Sequence, residues 1–211
     1  MSAPRPAVMN ANDLSRRRQR KKSDEMRQRL LDATLDVIAD EGWAAATSAR
    51  ISEVAGVSRG AQTHHYPTKA SLLLAALDLL TERFESEVRA RFTALPAEDR
   101  TLRQLLDLLW TAYLDDRHNF SVLEALIAAR TDPELGTGVA ELDDRAVATL
   151  RSLATEVTDA AAPESDIADA IESAIVFYRG LIVQRGLHAN PDHLEQLARS
   201  WRESASRSLT G

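Results

Sequence analysis

The chain has 211 residues, 44% hydrophobic and 5% aromatic, with no cysteine and a formal charge of −6. One or two domains of this length bury a core without staples, and zero Cys excludes a thiol nucleophile, a thiolate metal site and a disulfide framework. Only 8 Gly and 7 Pro favour helix over sheet. No apolar run nears the roughly 20 residues of a membrane span, and MSAPRPAVMN lacks the apolar stretch of a secretory signal, so a cytoplasmic protein without membrane contact is expected.

Charge divides the chain. Residues 1–72 hold 12 Lys/Arg against 8 Asp/Glu, whereas residues 73–211 hold 14 against 24. A basic head on an acidic body implies that only the head meets a polyanion. Residues 1–22 carry seven bases and one acid. With Pro4 and Pro6 and no apolar periodicity they read as a mobile arm, whose bases include Arg16, Arg17, Arg18, Arg20, Lys21 and Lys22. A solubilising tail would have the same composition.

From Ser23, a candidate cap with Asp24 and Glu25 behind it, the spacing predicts a helix with Leu31, Leu35 and Ile38 on its apolar face, ended by Gly42. Thr47 caps a short helix, Ser48 to Ala55, whose Ile51, Val54 and Ala55 face inward. Ser58 caps another, Arg59 to His65, stopped by Pro67. Thr68 opens a long helix from Lys69 to about Leu95. Further helical segments are predicted near 98–116, 119–130, 139–160, 164–188 and 191–209, with a loop from Asp132 to Gly138. No run alternates as a strand does. The expected fold is all-α with about nine helices.

Residues 48–65 have the parts of a helix-turn-helix: two short helices, a small Ala55 at their crossing, Gly56 for the turn, Val57 to plug the core, and Ser58 to cap a second helix short enough for a major groove. Its outward positions offer Arg59, Gln62, Thr63, His64 and His65. An ordinary helical hairpin has the same spacing.

Residues 27–74 resemble the DNA-binding domain of the TetR family of bacterial repressors. The resemblance rests on Thr47, then Ala55-Gly56-Val57-Ser58-Arg59-Gly60-Ala61, then His64-His65-Tyr66-Pro67-Thr68-Lys69 and Leu72-Leu73, with Gly42-Trp43 upstream. It implies three regions: an arm at 1–22, a helix-turn-helix domain at 23–72 and a helical regulatory and dimerisation domain at 73–211. It implies that Thr47, Ser48 and Lys69 touch phosphate, that Arg59 and Gly60 meet base edges, and that Ser58 caps the reader helix. Gln62 would reach a base; Thr63, His64 and His65 would meet phosphate or sugar. Thr63 departs from the family, which often has an aromatic there. Tyr66 would be a core aromatic, and Arg17, Arg18, Arg20 and Lys21 would enter a minor groove.

The resemblance also implies a small-molecule effector held between the fourth and eighth helices, and a homodimer through residues about 164–209. Two sequence features agree. The segment at 164–188 is apolar round much of its circumference, and Leu194, Leu197, Trp201, Ala205 and Leu209 make a stripe on the last helix. Pocket candidates that mix aromatic walls with polar anchors are Trp110, Tyr113, His118, Phe120, Glu124, Phe177, Tyr178 and Gln184; core packing explains each of them too.

The reading is therefore a dimeric DNA-binding transcriptional regulator, a repressor that holds palindromic double-stranded DNA and is released by a small molecule. The alternative is a DNA-binding regulator without such a ligand, gated by a protein partner or constitutive. GxxxxGKS/T, HExxH and GxGxxG motifs do not occur, and Gly56-Val57-Ser58-Arg59-Gly60, which spells GxSxG, follows a helix rather than the strand a nucleophile turn needs, so no enzyme activity and no cofactor are expected. Nor is a metal, because His64 and His65 diverge by about 100° on a helix.

Overall fold

Side-chain caps set where the front helices begin. In the computed structural model, which describes residues 11–115, 117–156, 164–187 and 190–208, the Thr47 hydroxyl accepts from the Arg50 N–H and opens α2, Ser48–Ala55. Ser58 accepts from Ala61 N–H and opens α3, Arg59–His65. Thr68 and Ser71 bond each other reciprocally and open α4, Lys69–Thr93. Each of these caps satisfies N–H groups that the first helical turn leaves orphaned.

Before them lies α1, Ala11–Glu41, ended at Gly42 with φ +86°, a left-handed conformation suited to glycine. A single 3-10 turn, Trp43–Ala45, follows. Beyond α4 come α5 (Leu102–Asp115), α6 (Asn119–Ala129), α7 (Pro133–Thr155), α8 (Glu164–Gly186) and α9 (Pro191–Ser208). Among the described residues there are nine α-helices and no strand.

Several expectations need correction. Residues 11–22 are not a mobile arm but the first three turns of α1, and Ser23 lies in that helix rather than capping it. Of residues 1–22 only Pro4 and Pro6 are prolines, both before residue 11, and the Arg, Lys and Gln that follow are good helix formers, so the helix grows back from its anchored end. The first ten residues lie outside the described part. The loop expected from Asp132 to Gly138 is instead the start of α7. Asp132 accepts from Leu135 N–H as the cap, and Pro133 takes the first position, where its missing N–H costs nothing. Gly138 is there for packing: a Cβ would lie 2.5 Å from Leu74 Cδ1 of α4. Val54 points outward, 43% exposed, while Ile51 and Ala55 are buried as expected.

Two larger cores result. The head core joins Leu30, Val37, Ile38, Ile51, Tyr66 and Leu72. The body core joins Phe92, Leu105, Leu109, Leu150, Ile171 and Tyr178. A smaller cluster of Leu77, Ala125, Leu135 and Val139 lies between them, and Trp43 packs against both this cluster and the head core. The boundary expected at 72–73 falls inside α4, which runs unbroken from the head core at Leu72 to the body core at Phe92.

Candidate nucleic-acid interface and body cavity

The turn between α2 and α3 places a polar helix on the surface. Gly56 takes φ +62°, its N–H bonds back to the end of α2, and Val57 turns the chain into Ser58. Thr47, Ser58, Arg59, Gly60, Thr63, His64 and Lys69 are exposed, with Ser48 and His65 partly so. Thr47 and Ser58 use an oxygen lone pair in capping, which leaves each hydroxyl hydrogen free to donate. Thr63 bonds back to Arg59 C=O at 2.9 Å, so its short side chain folds along the helix. Lys69 Nζ sits 5.7 Å from the centre of the Trp43 ring, a cation–π contact that orients the ammonium at the head of α4. A Cβ on Gly60 would meet nothing within 4 Å, so nothing inside the molecule requires glycine there.

Gln62 is a correction. It is 3% exposed, and its amide oxygen accepts from the Ser52 hydroxyl across the α2–α3 crossing, so it cannot reach a base. It satisfies a buried polar pair that holds the motif's angle. Arg50 does similar work outside: its guanidinium grips Glu41 at 2.7 and 2.9 Å and reaches Glu53, tying α2 to the end of α1. That guanidinium holds the Glu41 carboxyl below its ordinary range.

Arg17, Arg18, Arg20 and Lys21 are exposed on α1, with Lys21 3.8 Å from Glu25. A helix roughly 10–12 Å across does not enter a minor groove about 6 Å wide. The minor-groove path expected for these four bases therefore does not hold for a helical segment; phosphates on the groove edge are what such a rod can meet. Among the described residues no group of three or more His, Asp or Glu is arranged to hold a metal ion, and the His64 and His65 rings meet edge to face.

In the body, α4, α6, α7 and α8 enclose a narrow cavity of about 60 Å³. Its walls include Leu77, Leu80, Phe84, Val122, Leu126 and Ile175, and its polar groups are Thr81, Tyr113, Asn119, Asp143 and Arg179. Of the expected pocket residues only Tyr113 lines it. Trp110 donates to Glu195, the Tyr178 hydroxyl donates to Leu106 C=O at 3.0 Å, and Phe177 stacks on Trp201. These three residues are core joints between α5, α8 and α9. Phe120 is 38% exposed against Gly186. His118 faces α1, 3.2 Å from Asp36, and Gln184 is exposed.

Glu124 also leaves the pocket. It faces the head, where its carboxylate accepts from Trp43 N–H beside Gly42. Sequence reasoning missed Asp143 and Arg179, which pair across α7 and α8, and Asn119, whose amide donates to Ala112 and Tyr113 carbonyls. One signal was available: Arg179 interrupts an apolar stretch, between Tyr178 and Leu181. Burial raises the Tyr113 phenol above its ordinary pKa and keeps it a neutral donor.

Comparison with known proteins agrees with this geometry. Residues 30–76 match the model of bacterial regulatory proteins, tetR family. The chain is 39% identical over 130 residues to the HTH-type transcriptional regulator CymR of Pseudomonas putida; the match covers 62% of this chain and only 64% of that protein's length. It is 29% identical over 188 residues to an uncharacterized HTH-type transcriptional regulator of Mycobacterium tuberculosis, covering 85% and 92%. Among solved structures it shares its fold, at 21% identity and a TM-score of 0.67, with a transcriptional regulator from Saccharomonospora viridis in complex with choline, covering 85% and 96%.

Proposed function

We propose, from the premise that the chain belongs to the TetR family of bacterial regulatory proteins, that it is a dimeric transcriptional repressor that holds a palindromic operator and lets go when a small molecule enters the body cavity. The observation that carries this reading is the exposed face of α3, with Arg59, Gly60 and His64 beside the Lys69 end of α4, on an otherwise acidic protein. Arg59 can bind a guanine edge bidentately, and Gly60 lets backbone approach backbone. The hydroxyl of Thr47, with Ser48, His65 and the ammonium of Lys69, suits phosphate, and Ser58 presents the N-terminus of α3; Thr63 does not donate there, because its hydroxyl hydrogen is spent on Arg59 C=O. The bases on α1 add a sequence-independent attraction.

The outer face of α8 supports a dimer. Val176, Val183 and Leu187 are exposed on one stripe, Val176 at 68%, and Leu197 of α9 adds to the exposed apolar surface. Gly180 lies within the stripe with open space before it, so a second helix could approach closely there. Leu209, expected on the same surface, lies outside the described residues. Two α3 helices about 34 Å apart, or a multiple of it, would read two half-sites.

Release is explained by α4 and α6. Each has one part against the cavity and another against the head: Leu77 and Leu80 line the cavity on the helix that begins at Lys69, and Val122 and Leu126 line it on the helix whose Glu124 holds Trp43. A drug-sized ligand needs some 300–1,000 Å³, far more than the space present, so it must part these helices. That binding tilts the head only by as much as the ligand prefers the parted state. The choline complex of the Saccharomonospora viridis relative supports a small-molecule site in this fold.

Selection of bound duplexes from random DNA tests the reading. A two-fold symmetric sequence should emerge, and a mass of two chains in solution should accompany it. Removing residues 1–22 should flatten the fall of log affinity with log salt. Recovery of unrelated sequences, all bound alike, would overturn the proposal.

A further inference from the structure

The polar end of the cavity holds a buried donor without an acceptor. Asp143 accepts from two guanidinium nitrogens of Arg179, at 3.3 Å from Nη1 and closer from Nη2. Arg179 Nε is buried and has no hydrogen-bond partner. The Tyr113 phenol beside it interacts with the same guanidinium, to which its oxygen can only be an acceptor, since a guanidinium has donors alone. The phenolic hydrogen then stays available to donate to a ligand. Asn119 spends its amide N–H groups on the Ala112 and Tyr113 carbonyls. Every other wall of the cavity is apolar except Thr81. A buried donor without an acceptor costs roughly 1–3 kcal/mol, and a ligand that supplies the acceptor recovers this cost when it binds.

We infer that the cavity takes an apolar molecule ending in an oxygen acceptor, a carboxylate or a neutral carbonyl, and that Arg179 Nε and the Tyr113 hydroxyl receive that oxygen. An ammonium ligand is disfavoured twice. It offers no acceptor to Arg179 Nε or the Tyr113 hydroxyl, and the carboxylate it needs, Asp143, is held by Arg179. The acidic charge of the body therefore misleads about its interior: the net sign of the surface favours cations, while the unpaired groups inside select against them. This inference rests on the proposal that the cavity is the effector site.

The test uses the full chain with two matched sets: phenylacetate, phenylacetamide and phenethylamine, then hexanoate, hexanamide and hexylamine. Melting temperature reads binding, and release of the selected operator reads its effect. The acid or the amide of at least one set should raise the melting temperature, and the amine of that set should not. A preference of acid over amide identifies the acceptor as a carboxylate, and the reverse as a carbonyl. Tyr113→Phe and Arg179→Met should each weaken the effective compound about tenfold or more. Tyr113→Phe removes one hydroxyl and keeps the ring, so it decides the matter if Arg179→Met fails to fold. Stronger stabilisation by an amine, no stabilisation by any of the six compounds, or undiminished binding by Tyr113→Phe would overturn the inference. Operator binding measured without any of these compounds separates that failure from failure of the repressor reading.

Discussion

Head and body use polar residues in opposite ways. In the head, apart from the buried Ser52–Gln62 pair, the polar side chains of the reader either close a local backbone gap, as Thr47, Ser58 and Thr68 do, or stand in solvent, as Arg59 and His64 do. In the body they are drawn inward and matched across helices distant in sequence, as Arg179 is with Asp143 and Arg202 with Asp107. A surface built from short capped helices presents its chemistry to a large external partner. A cavity built from long helices hides its chemistry and can only be reached by something small.

The largest effect that would sharpen this contrast is in the head core. Ile51 is fully buried in a small cluster, so Ile51→Ala should cost about 2–5 kcal/mol. Denaturant unfolding should show that loss, and operator retention should fall with it. The second test separates two residues of one helix. Arg59→Ala should relax specificity at one base position by about 1–3 kcal/mol and leave the melting temperature alone. Gln62→Ala should do the reverse, leaving the Ser52 hydroxyl unpaired and lowering stability without changing which base is preferred. Equal loss on all sequences for Arg59→Ala would break the division between them.

Glu124 tests the seam between the two regions. Glu124→Ala strands a partly buried Trp43 N–H and should cost about 1–3 kcal/mol, most of which Glu124→Gln restores because an acceptor oxygen remains. The smallest expected effect has opposite signs in two assays. Gly60→Ala should raise the melting temperature, by up to about 1 kcal/mol of helix propensity, because the new methyl meets nothing in the protein. The same substitution should weaken operator binding if the backbone there approaches DNA.

The head was largely legible in the sequence because its signals are local. A Thr or Ser three residues before the N–H it accepts is visible in the string, and so are Gly42 and Gly56 at their turns. Gln62 was not legible, because its burial depends on Ser52, ten residues away on another helix. The start of α7 was misread for a related reason: Gly136 and Gly138 look like loop residues until Leu74 is seen pressed against the second of them. In the body the helices could be counted from periodicity and breakers, but the cavity could not be located. Aromatic residues were the natural candidates, and Trp110, Phe177 and Tyr178 instead weld α5, α8 and α9 together. Which polar residue faces a space between four helices depends on their rotation about their axes, and no short stretch of sequence encodes that.

Trp43 has a practical consequence for anyone cutting and rejoining such chains. Its indole fills a socket with walls contributed partly by α1 and partly by α6 and its neighbours, so neither half is a finished module. A chimera that grafts this reader onto a foreign effector body must supply a replacement for Val122, Ala125 and Leu126 beneath the indole, or the graft will inherit an open wound where the seam should be.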